Sequence, residues 1–366
     1  MPLLRSADSW GMAVNSQSAN RHLPPVATVW FAPPGRARDA VGAALEVSGF
    51  FRQLRPKKKI GIKVHFGEQG NENHLSPELV RAASVAVSYH SLQPVLVETT
   101  ALYRGRRQEA KSHLKLAHEH GFTPARVLAP IEILDGRYGE KFYEVPLDST
   151  LVPVARLAHG LRRIRYLINL AHFKGHFVTG FGGVIKNLAM GLAAKAGKLA
   201  MHSSSKPYVE SDRCTSCGTC VDYCPQEAIS FVGHVARIGR SCTGCGGCLA
   251  VCPHGAIKVK WNEASESVQL KIVDYCRAVV KDRWVFHFNF CLKITPNCDC
   301  YPQTEKPFME DVGVFASFDP VACEQAAYDR VGPRLRKLYP HLRPEILLER
   351  AESTGLGTRR YQLVEL

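Results

Sequence analysis

The chain has 366 residues, is 45% hydrophobic and 22% charged, and carries a formal net charge of +14. This is ordinary globular composition, and the length is typical of two domains or of one large domain with an insertion. No apolar stretch approaches the roughly eighteen residues of a membrane helix, and the N-terminus lacks a secretory pattern. We therefore predict a cytoplasmic protein without a membrane partner, in which residues 1–24 form a loose extension. A transit peptide is the alternative for this stretch, weakly supported because only Arg5 and Arg21 are basic there.

The positive charge raises the question of nucleic-acid binding. The basic residues are scattered, however, and the two short runs at 55–59 and 162–163 lack interleaved aromatic side chains. This distribution favours a solvated basic face over a nucleic-acid site. Such a face would attract an acidic redox partner protein or an anionic small-molecule substrate.

After residue 24, apolar runs typical of strands alternate with amphipathic helical patterns. The predicted strands span residues 59–65, 94–100, 131–134, 166–170 and 284–290. The predicted helices begin at residue 77, after Ser76 as a cap, and span 104–120, 183–196, 268–281 and 320–331. This alternation predicts an α/β layered fold on a mostly parallel sheet.

A doubled cysteine pattern interrupts the alternation. Each half reads C-x2-C-x2-C-x3-C-P, which is typical of bacterial two-cluster ferredoxins, where the fourth cysteine of each half binds the other cluster. We therefore predict two 4Fe–4S clusters, the first on Cys214, Cys217, Cys220 and Cys252, and the second on Cys242, Cys245, Cys248 and Cys224.

Two alternatives fit the spacing less well. Zinc sites usually show two separated C-x2-C pairs, and disulfide frameworks are typical of small secreted chains. The strand–helix alternation resumes after the cysteines, so we predict one discontinuous α/β domain, residues 25–205 and 262–366. A small α+β two-cluster ferredoxin module, residues 206–261, would be inserted in it.

Three polar loops follow predicted strands, where ligands bind in open parallel sheets. In the first loop, His65 and Glu68 are candidate catalytic residues for proton transfer, and Lys63 could bind an anion. A hydrogen-bonded structural role for His65 remains the alternative.

The second loop combines titratable side chains with glycines that open a helix. Its members are His172, Lys174, His176, Gly182, Gly183, Lys186 and Asn187. Such glycines often cradle phosphate, but the sequence is neither G-x-G-x-x-G nor a P-loop, so a nucleotide is poorly supported. We predict catalytic roles for His172, His176 and Lys186, and binding roles for the others.

The third loop contains Cys298 and Cys300, separated by one residue. This spacing does not fit a cubane loop. The pair could bind a further metal together with His172 or His176, or form a redox-active thiol pair.

Several stretches resemble the DUF362 iron–sulfur centre proteins. They read GIKVHFGEQGN, ETTALYRGRR, HLKLAHEHGF, HFKGHFVTGFGGVIKNLAMG, GKLAMH, CDC and SFDPVACEQA, between about residues 59 and 330. The resemblance implies a redox protein without defining a substrate.

The HFVTGFGGVIK segment is also similar to nickel-dependent lactate racemases. That resemblance implies a proton acceptor at His176, a cofactor anchor at Lys186 and a metal ligand at His202, and hence a further metal or organic cofactor in these loops. Gly182 stands where the racemases have serine, and Asn187–Gly191 replaces their Pro-Gly ending, so we expect shared loop geometry without the racemase reaction.

Two functional hypotheses follow. The first is an oxidoreductase that passes single electrons from the clusters to a substrate or cofactor in these loops. The second is a non-enzymatic electron carrier or assembly factor that docks an acidic redox partner. The abundance of histidine, lysine and glycine in the loops favours the first.

Overall fold

The computed structural model describes residues 25–52, 54–203, 206–260 and 263–366. The predicted extension at 1–24 lies outside the described residues, as do residues 261 and 262, where the predicted ferredoxin module meets the second half of the α/β domain. None of the described helices is long and apolar enough to cross a membrane.

The strands, in chain order, are β1 (Ala27–Ala32), β2 (Lys59–Lys63), β3 (Gln93–Glu98), β4 (Ile131–Ile133), β5 (Phe142–Pro146), β6 (Val154–Ala158), β7 (Tyr166–His172), β8 (Lys174–His176), β9 (Gly180–Gly182), β10 (Tyr208–Val209), β11 (Ile229–Val232), β12 (Val235–Ile238), β13 (Ile257–Lys258), β14 (Trp284–Cys291), β15 (Gly313–Ser317) and β16 (Tyr361–Glu365). The α-helices are α1 (Ala37–Val47), α2 (Pro77–Tyr89), α3 (Ala110–Glu119), α4 (Pro124–Val127), α5 (Val184–Leu192), α6 (Lys195–His202), α7 (Thr219–Asp222), α8 (Gly247–Val251), α9 (Ser265–Val280), α10 (Pro320–Leu338) and α11 (Glu345–Ser353). Short 3-10 turns cover Pro34–Arg36, Arg106–Gln108, His159–Arg163 and Ser211–Arg213.

Eight strands form one sheet in the order β16-β1-β15-β14-β7-β2-β3-β4. The central strand β7 pairs in parallel with β2 and with β14, so that Ile168 lies beside Ile62 on one side and Phe286 on the other. Only β15 runs against its neighbours in this sheet. The prediction of an α/β fold with a mostly parallel sheet is confirmed.

Helices cover both faces of the sheet because its strands are apolar on both sides. Along β7, Leu167 and Ala171 pack into the core beneath α5, α9, α10 and α11. Ile168 and Leu170 pack into the opposite core beneath α1 and α2. Burial of each such leucine or isoleucine contributes roughly 1.5–3 kcal/mol, which fixes the strand register and aligns the strand ends at one edge.

Two predicted helices differ from the structure. In the predicted helix 104–120, Glu109 is extended (φ −123°, ψ 141°), so a 3-10 turn precedes α3. The predicted helix 183–196 is broken between α5 and α6, because Ala193 forms a bridge with Leu157 of β6 and the Ala194 N–H donates to the Arg156 carbonyl. The break turns α6 back toward the carboxyl edge of the sheet.

The cysteine-containing segment folds on its own small core. This core consists of Cys220, Ile229, Ala236, Cys248 and Ile257. Strands β10 and β13 pair antiparallel, and the pairing brings the two ends of the segment together.

Candidate functional site

A cavity of about 590 Å³ lies at the carboxyl ends of β2, β3, β7 and β14. Its volume is in the range of small-molecule sites. The loops that follow these four strands form its walls together with α5 and α6. The three polar loops predicted from the sequence therefore meet at one place, as the topology of a parallel sheet requires.

Arg107 lies between the two candidate residues of the first loop. Its Nε donates to Glu68 Oε2 at 3.2 Å, and its Nη1 lies 2.6 Å from His65 Nε2. The Gly67 N–H donates to the other ring nitrogen of His65 at 3.0 Å. Burial, and then the charge of Arg107, lowers the pKa of His65 well below its usual value, so the ring is neutral. His65 lines the cavity, whereas Glu68 anchors Arg107 behind it.

Lys63 is fully buried, and its ammonium has three acceptors. They are the Val64 carbonyl at 3.1 Å, Asn187 Oδ1 at 3.0 Å and Glu98 Oε1 at 3.1 Å. Burial lowers the pKa of Lys63, and Glu98 partly restores it. Lys63 thus ties β2 to β3 and α5, and Asn187 and Glu98 extend from this tie to the cavity wall.

His172 and Lys174 converge on one buried carboxylate of the third loop. Asp299 Oδ1 lies 2.8 Å from His172 Nδ1, and its Oδ2 lies 3.3 Å from Lys174 Nζ. Burial alone would raise the pKa of Asp299, but His172 and Lys174 hold it well below its usual range. His172 Nε2 is also engaged, at 2.8 Å from the Leu292 carbonyl, so both of its ring nitrogens are committed.

His176 presents one defined nitrogen to the cavity. Its Nδ1 accepts the Val178 and Thr179 N–H groups, both at 3.2 Å. Burial, followed by the charge of Lys186, lowers the pKa of His176 well below its usual value. The neutral ring therefore carries its proton on Nε2, which can donate to a bound oxygen.

Lys186 projects into the cavity from the first turn of α5. Within the described part of the chain, no acceptor lies within hydrogen-bonding distance of its ammonium, and the residue is partly open to the cavity. Burial, and then the charge of Lys174, lowers the pKa of Lys186 to about 7. An amine of this kind is both charged and neutral at physiological pH, which suits proton transfer or nucleophilic attack.

A side chain at Gly183, the residue before α5, would collide with two buried polar side chains. A Cβ there would lie 2.6 Å from Glu324 Oε1 and 2.7 Å from Asn289 Oδ1. The Ile185 N–H donates to Glu324 Oε2 at 3.3 Å, and burial raises the pKa of Glu324 to about 7. Gly182 lines the cavity beside the Lys186 side chain.

His202 reaches the cavity from the last turn of α6. Burial, and then Lys186, lowers its pKa to about 3. The three residues of the racemase-like spacing, His176, Lys186 and His202, therefore line one cavity.

Other residues of the cavity lining were not predicted from the sequence, among them Glu98, Tyr103, Arg107 and Lys198. Arg107 also donates to the Tyr103 hydroxyl, and burial raises the pKa of that tyrosine to about 12. Lys198 donates to Thr99 Oγ1 at 2.5 Å, and burial lowers its pKa to about 8. Tyr103 and Arg107 lie in the ETTALYRGRR stretch, which only tertiary structure brings to the cavity.

Cys298 and Cys300 both lie in the cavity wall, and a disulfide joins them. Cys298 is nearly fully buried and Cys300 is partly exposed.

The eight cysteines of the doubled pattern gather in two groups. One surrounds a surface recess and consists of Cys214, Cys217, Cys220 and Cys252; the other surrounds a second recess and consists of Cys224, Cys242, Cys245 and Cys248. We call these the outer and inner cysteine sets. Each combines three cysteines from one half of the pattern with the fourth from the other half, which is the arrangement that the ferredoxin pattern predicts.

Backbone N–H groups point at the sulfurs of both sets. The Ala236 N–H lies 3.4 Å from Cys214 Sγ in the outer set, and the Ala228 N–H lies 3.2 Å from Cys224 Sγ in the inner set. Donors of this kind stabilise thiolates that bind iron. Among the described residues, no three His, Cys, Asp or Glu side chains converge closely enough for a single ion. In a cubane cluster each thiolate binds a different iron atom, so the four sulfurs need not converge on one point. Both cysteine sets therefore fit a 4Fe–4S cluster.

Residues next to the inner set pack against the cavity wall. Leu249, in α8 beside Cys248, contacts a small apolar cluster of Leu102, Leu199 and Val259. Lys195 of α6 also lies against this loop, since a Cβ on Gly246 would be 3.4 Å from the Lys195 Cβ. The same loop after β3 and the same helix α6 line the cavity.

Fold and site together define an α/β protein with a small-molecule cavity at the carboxyl edge of a mostly parallel sheet. The family model described as "Domain of unknown function (DUF362)" matches residues 60–329, most of the chain. The chain belongs to the DUF362 family, as its motifs predicted.

No curated protein matches the chain. Among solved structures, it is similar to the lactate racemase apoprotein from Thermoanaerobacterium thermosaccharolyticum, with 14% sequence identity and a TM-score of 0.40. The similarity covers 84% of this chain, which spans 57% of the length of that protein.

Proposed function

We propose that this protein is an iron–sulfur oxidoreductase, in which two 4Fe–4S clusters exchange electrons with a small anionic molecule in the cavity. The observation that carries the proposal is that Gly246 and Leu249, which flank Cys245 and Cys248 of the inner set, pack against α6 and the loop after β3. Both of these elements line the cavity. Electron exchange requires such proximity, and a carrier protein alone would not need it.

The clusters would be held by the outer and inner sets as the cysteine pattern predicts. When bound, they supply single electrons at a potential that the ligands alone do not define. The two sets adjoin, because Cys220 and Cys248 share one small core. The segment that carries them, residues 206–261, would be a ferredoxin module inserted between residues 25–205 and 262–366.

An anionic ligand is supported by the charge balance of the cavity. Arg107 is compensated by Glu68, and Lys174 by Asp299. Lys186 has no such partner in the described part of the chain. A bound carboxylate or phosphate would supply the missing negative charge.

The cavity residues can handle a proton at two defined atoms. His176 Nε2 carries a proton that can be donated to a ligand oxygen. Lys186 Nζ, with a pKa of about 7, can take up or release a proton at physiological pH. Together they would stabilise negative charge that develops on the ligand during electron transfer.

The test begins with anaerobic purification and measurement of iron and acid-labile sulfide. We expect about eight of each per chain from two cubanes. The reduced protein is then titrated with a panel of small anions (acetate, pyruvate, oxalate and phosphate), while the paramagnetic spectrum and midpoint potentials of the clusters are followed. At least one anion should bind and shift the potential of one cluster.

Lys186→Ala and His176→Ala should retain iron but weaken anion binding at least tenfold. Lys115→Ala and His341→Ala, which change exposed residues of the same types, are the matched controls. Loss of iron from purified wild type would remove the iron–sulfur part of the proposal. Full anion binding by both cavity variants would remove the role of the cavity.

A second candidate is an electron carrier for an acidic redox partner. Cys217 of the outer set is exposed, and Arg213 and His254 lie at the same recess. Under this reading the cavity variants would pass electrons to the partner at the wild-type rate, and the rate would fall steeply with salt.

The racemase-like spacing leaves one cofactor hypothesis, with Lys186 as an anchor and His202 as a metal ligand. The shared cavity of these residues with His176 supports it. Metal analysis and the intact mass of the purified protein test it, because a covalent adduct would add mass at Lys186. Absence of both nickel and an adduct would exclude this version.

A further inference from the structure

The disulfide of Cys298 and Cys300 contributes little to the stability of the fold. It closes a loop of one intervening residue, so it constrains almost none of the unfolded chain. All thirteen cysteines lie in the described part of the chain, and none of the eleven others forms a disulfide. This pair is thus set apart by its bond and by its place in the cavity wall.

The loop that carries the pair is fixed from both sides. The Glu68 N–H donates to the Asp299 carbonyl at 2.9 Å, and Asn71 Nδ2 donates to the Tyr301 carbonyl at 3.2 Å. On the opposite side, His172 bonds the Asp299 carboxylate. The two sulfurs therefore stay in the cavity wall when the bond between them is broken.

The surroundings are those of a reactive thiol pair. Lys174 is paired with Asp299, the residue between the two cysteines, and Arg107, Lys186 and Lys198 line the same cavity. Reactive cysteines in proteins lie in electropositive, partly exposed surroundings of this kind, whereas inert ones lie in apolar cores. Cys291 is the contrast, since burial raises its pKa well above the usual value.

The histidines considered as partners for a metal offer no unprotonated ring nitrogen to it. Both ring nitrogens of His172 are engaged, by Asp299 and by the Leu292 carbonyl. His176 Nδ1 accepts two backbone N–H groups. A two-electron thiol–disulfide couple needs no third ligand, so it fits the loop better than a metal does.

We propose that Cys298 and Cys300 form a redox couple that collects electrons from the clusters, one at a time, and holds them as a pair beside the bound anion. This proposal rests on the proposed iron–sulfur function. In the reduction, two reduced clusters give one electron each, the S–S bond breaks, and each sulfur takes a proton from water to form a thiol. The dithiol is then a two-electron donor in contact with the ligand.

The test is differential alkylation with N-ethylmaleimide, read by peptide mass. Anaerobic wild-type protein, with clusters, is treated with dithionite and a viologen, and an iron-free preparation is treated identically. We expect two adducts on the 298–300 peptide in the first sample and none in the second. A phosphine reductant should open the pair in both, while buried Cys291 stays unmodified throughout.

Cys300→Ser is the matched variant. It should retain the wild-type iron content, and its gain of two adducts on reduction should be lost. Two adducts before any reduction, or none after phosphine, would overturn the couple itself. A pair that phosphine opens but dithionite leaves closed in the cluster-containing protein would overturn its link to the clusters. Failure of the proposed function is distinct, because it would show as missing iron.

Discussion

Lys63 crosses α5 directly over Gly191, where an added Cβ would lie 2.1 Å from the lysine Cε. The lysine cannot swing aside without losing its bonds to Asn187 and Glu98 deep inside the protein. The absence of a side chain at Gly191 thus leaves space for the ion pair of Lys63 and Glu98. That pair, with the bond to Asn187, holds α5 against β2 and β3.

Gly191→Ala should lower the free energy of unfolding by about 2 kcal/mol or more, since it forces an unpaired buried charge or a shift of α5. Gly42→Ala in α1 is the matched control, because no atom lies within 4 Å of its added Cβ. That control should raise the free energy of unfolding by about 0.5–1 kcal/mol. Chemical denaturation measures both, and equal stability of the two variants would contradict the prediction.

Lys186 should react as a nucleophile near neutral pH. With a pKa of about 7, roughly half of its amines are neutral at pH 7; an ordinary lysine is neutral in well under one molecule in a hundred. Cyanate, a small anion, should carbamoylate Lys186 at least tenfold faster than exposed Lys115. Peptide mapping across pH 6–10 should show this advantage shrinking as the pH rises, and a slower reaction at Lys186 than at Lys115 throughout would refute it.

Glu324 should make stability depend on pH in a defined direction. Burial raises the pKa of Glu324 to about 7 from an ordinary 4.5, so the folded state retains a proton that the unfolded state releases between these values. The stabilisation is complete below about pH 4.5 and is lost as the pH rises through about 7. The free energy of unfolding of wild type should therefore fall relative to Glu324→Gln over this window, by roughly 3 kcal/mol at most. Parallel curves for the two proteins would exclude a raised pKa.

The outer cysteine set should lose iron before the inner set. Cys217 is exposed, whereas Cys245 and Cys248 are buried, so solvent and chelator reach the outer set first. We expect iron release to a chromogenic chelator in two phases of similar size, with the first accelerated in Cys217→Ser. Cys276→Ala, which removes a buried thiol of α9, should leave both phases unchanged. A single phase in wild type would show that the two sets are equally protected.

The sequence predicts best where chemistry is local. The spacing around Cys214 and Cys242 specifies the cysteine grouping because all ligands of a half lie within eleven residues. Apolar patterning also predicts the two strands that His65 and His172 lie near, although β2 ends two residues before the predicted 65 and β7 two residues after the predicted 170. A parallel sheet must bring the carboxyl ends of both strands to one edge.

Arg107 and Lys198 could not be predicted as cavity residues. Arg107 lies within the 3-10 turn Arg106–Gln108, which the extended Glu109 separates from α3. Nothing local distinguishes it from the adjacent Arg106, which pairs with Glu119 at the surface. Lys198 reaches the cavity because α5 ends early, and that break depends on pairing with Leu157, far away in the chain. Such long-range contacts leave no periodic pattern in the sequence.

The pairing of β10 with β13 also bears on how such a protein arises in evolution. Because the chain enters and leaves the cysteine segment at neighbouring strands, α6 and α9 could be joined by a short linker if the segment were deleted. A lineage could therefore acquire or lose the cysteine segment in one genetic event while the sheet that bears the cavity is kept. Related chains with and without the cysteines would then differ in the proposed clusters and share the cavity.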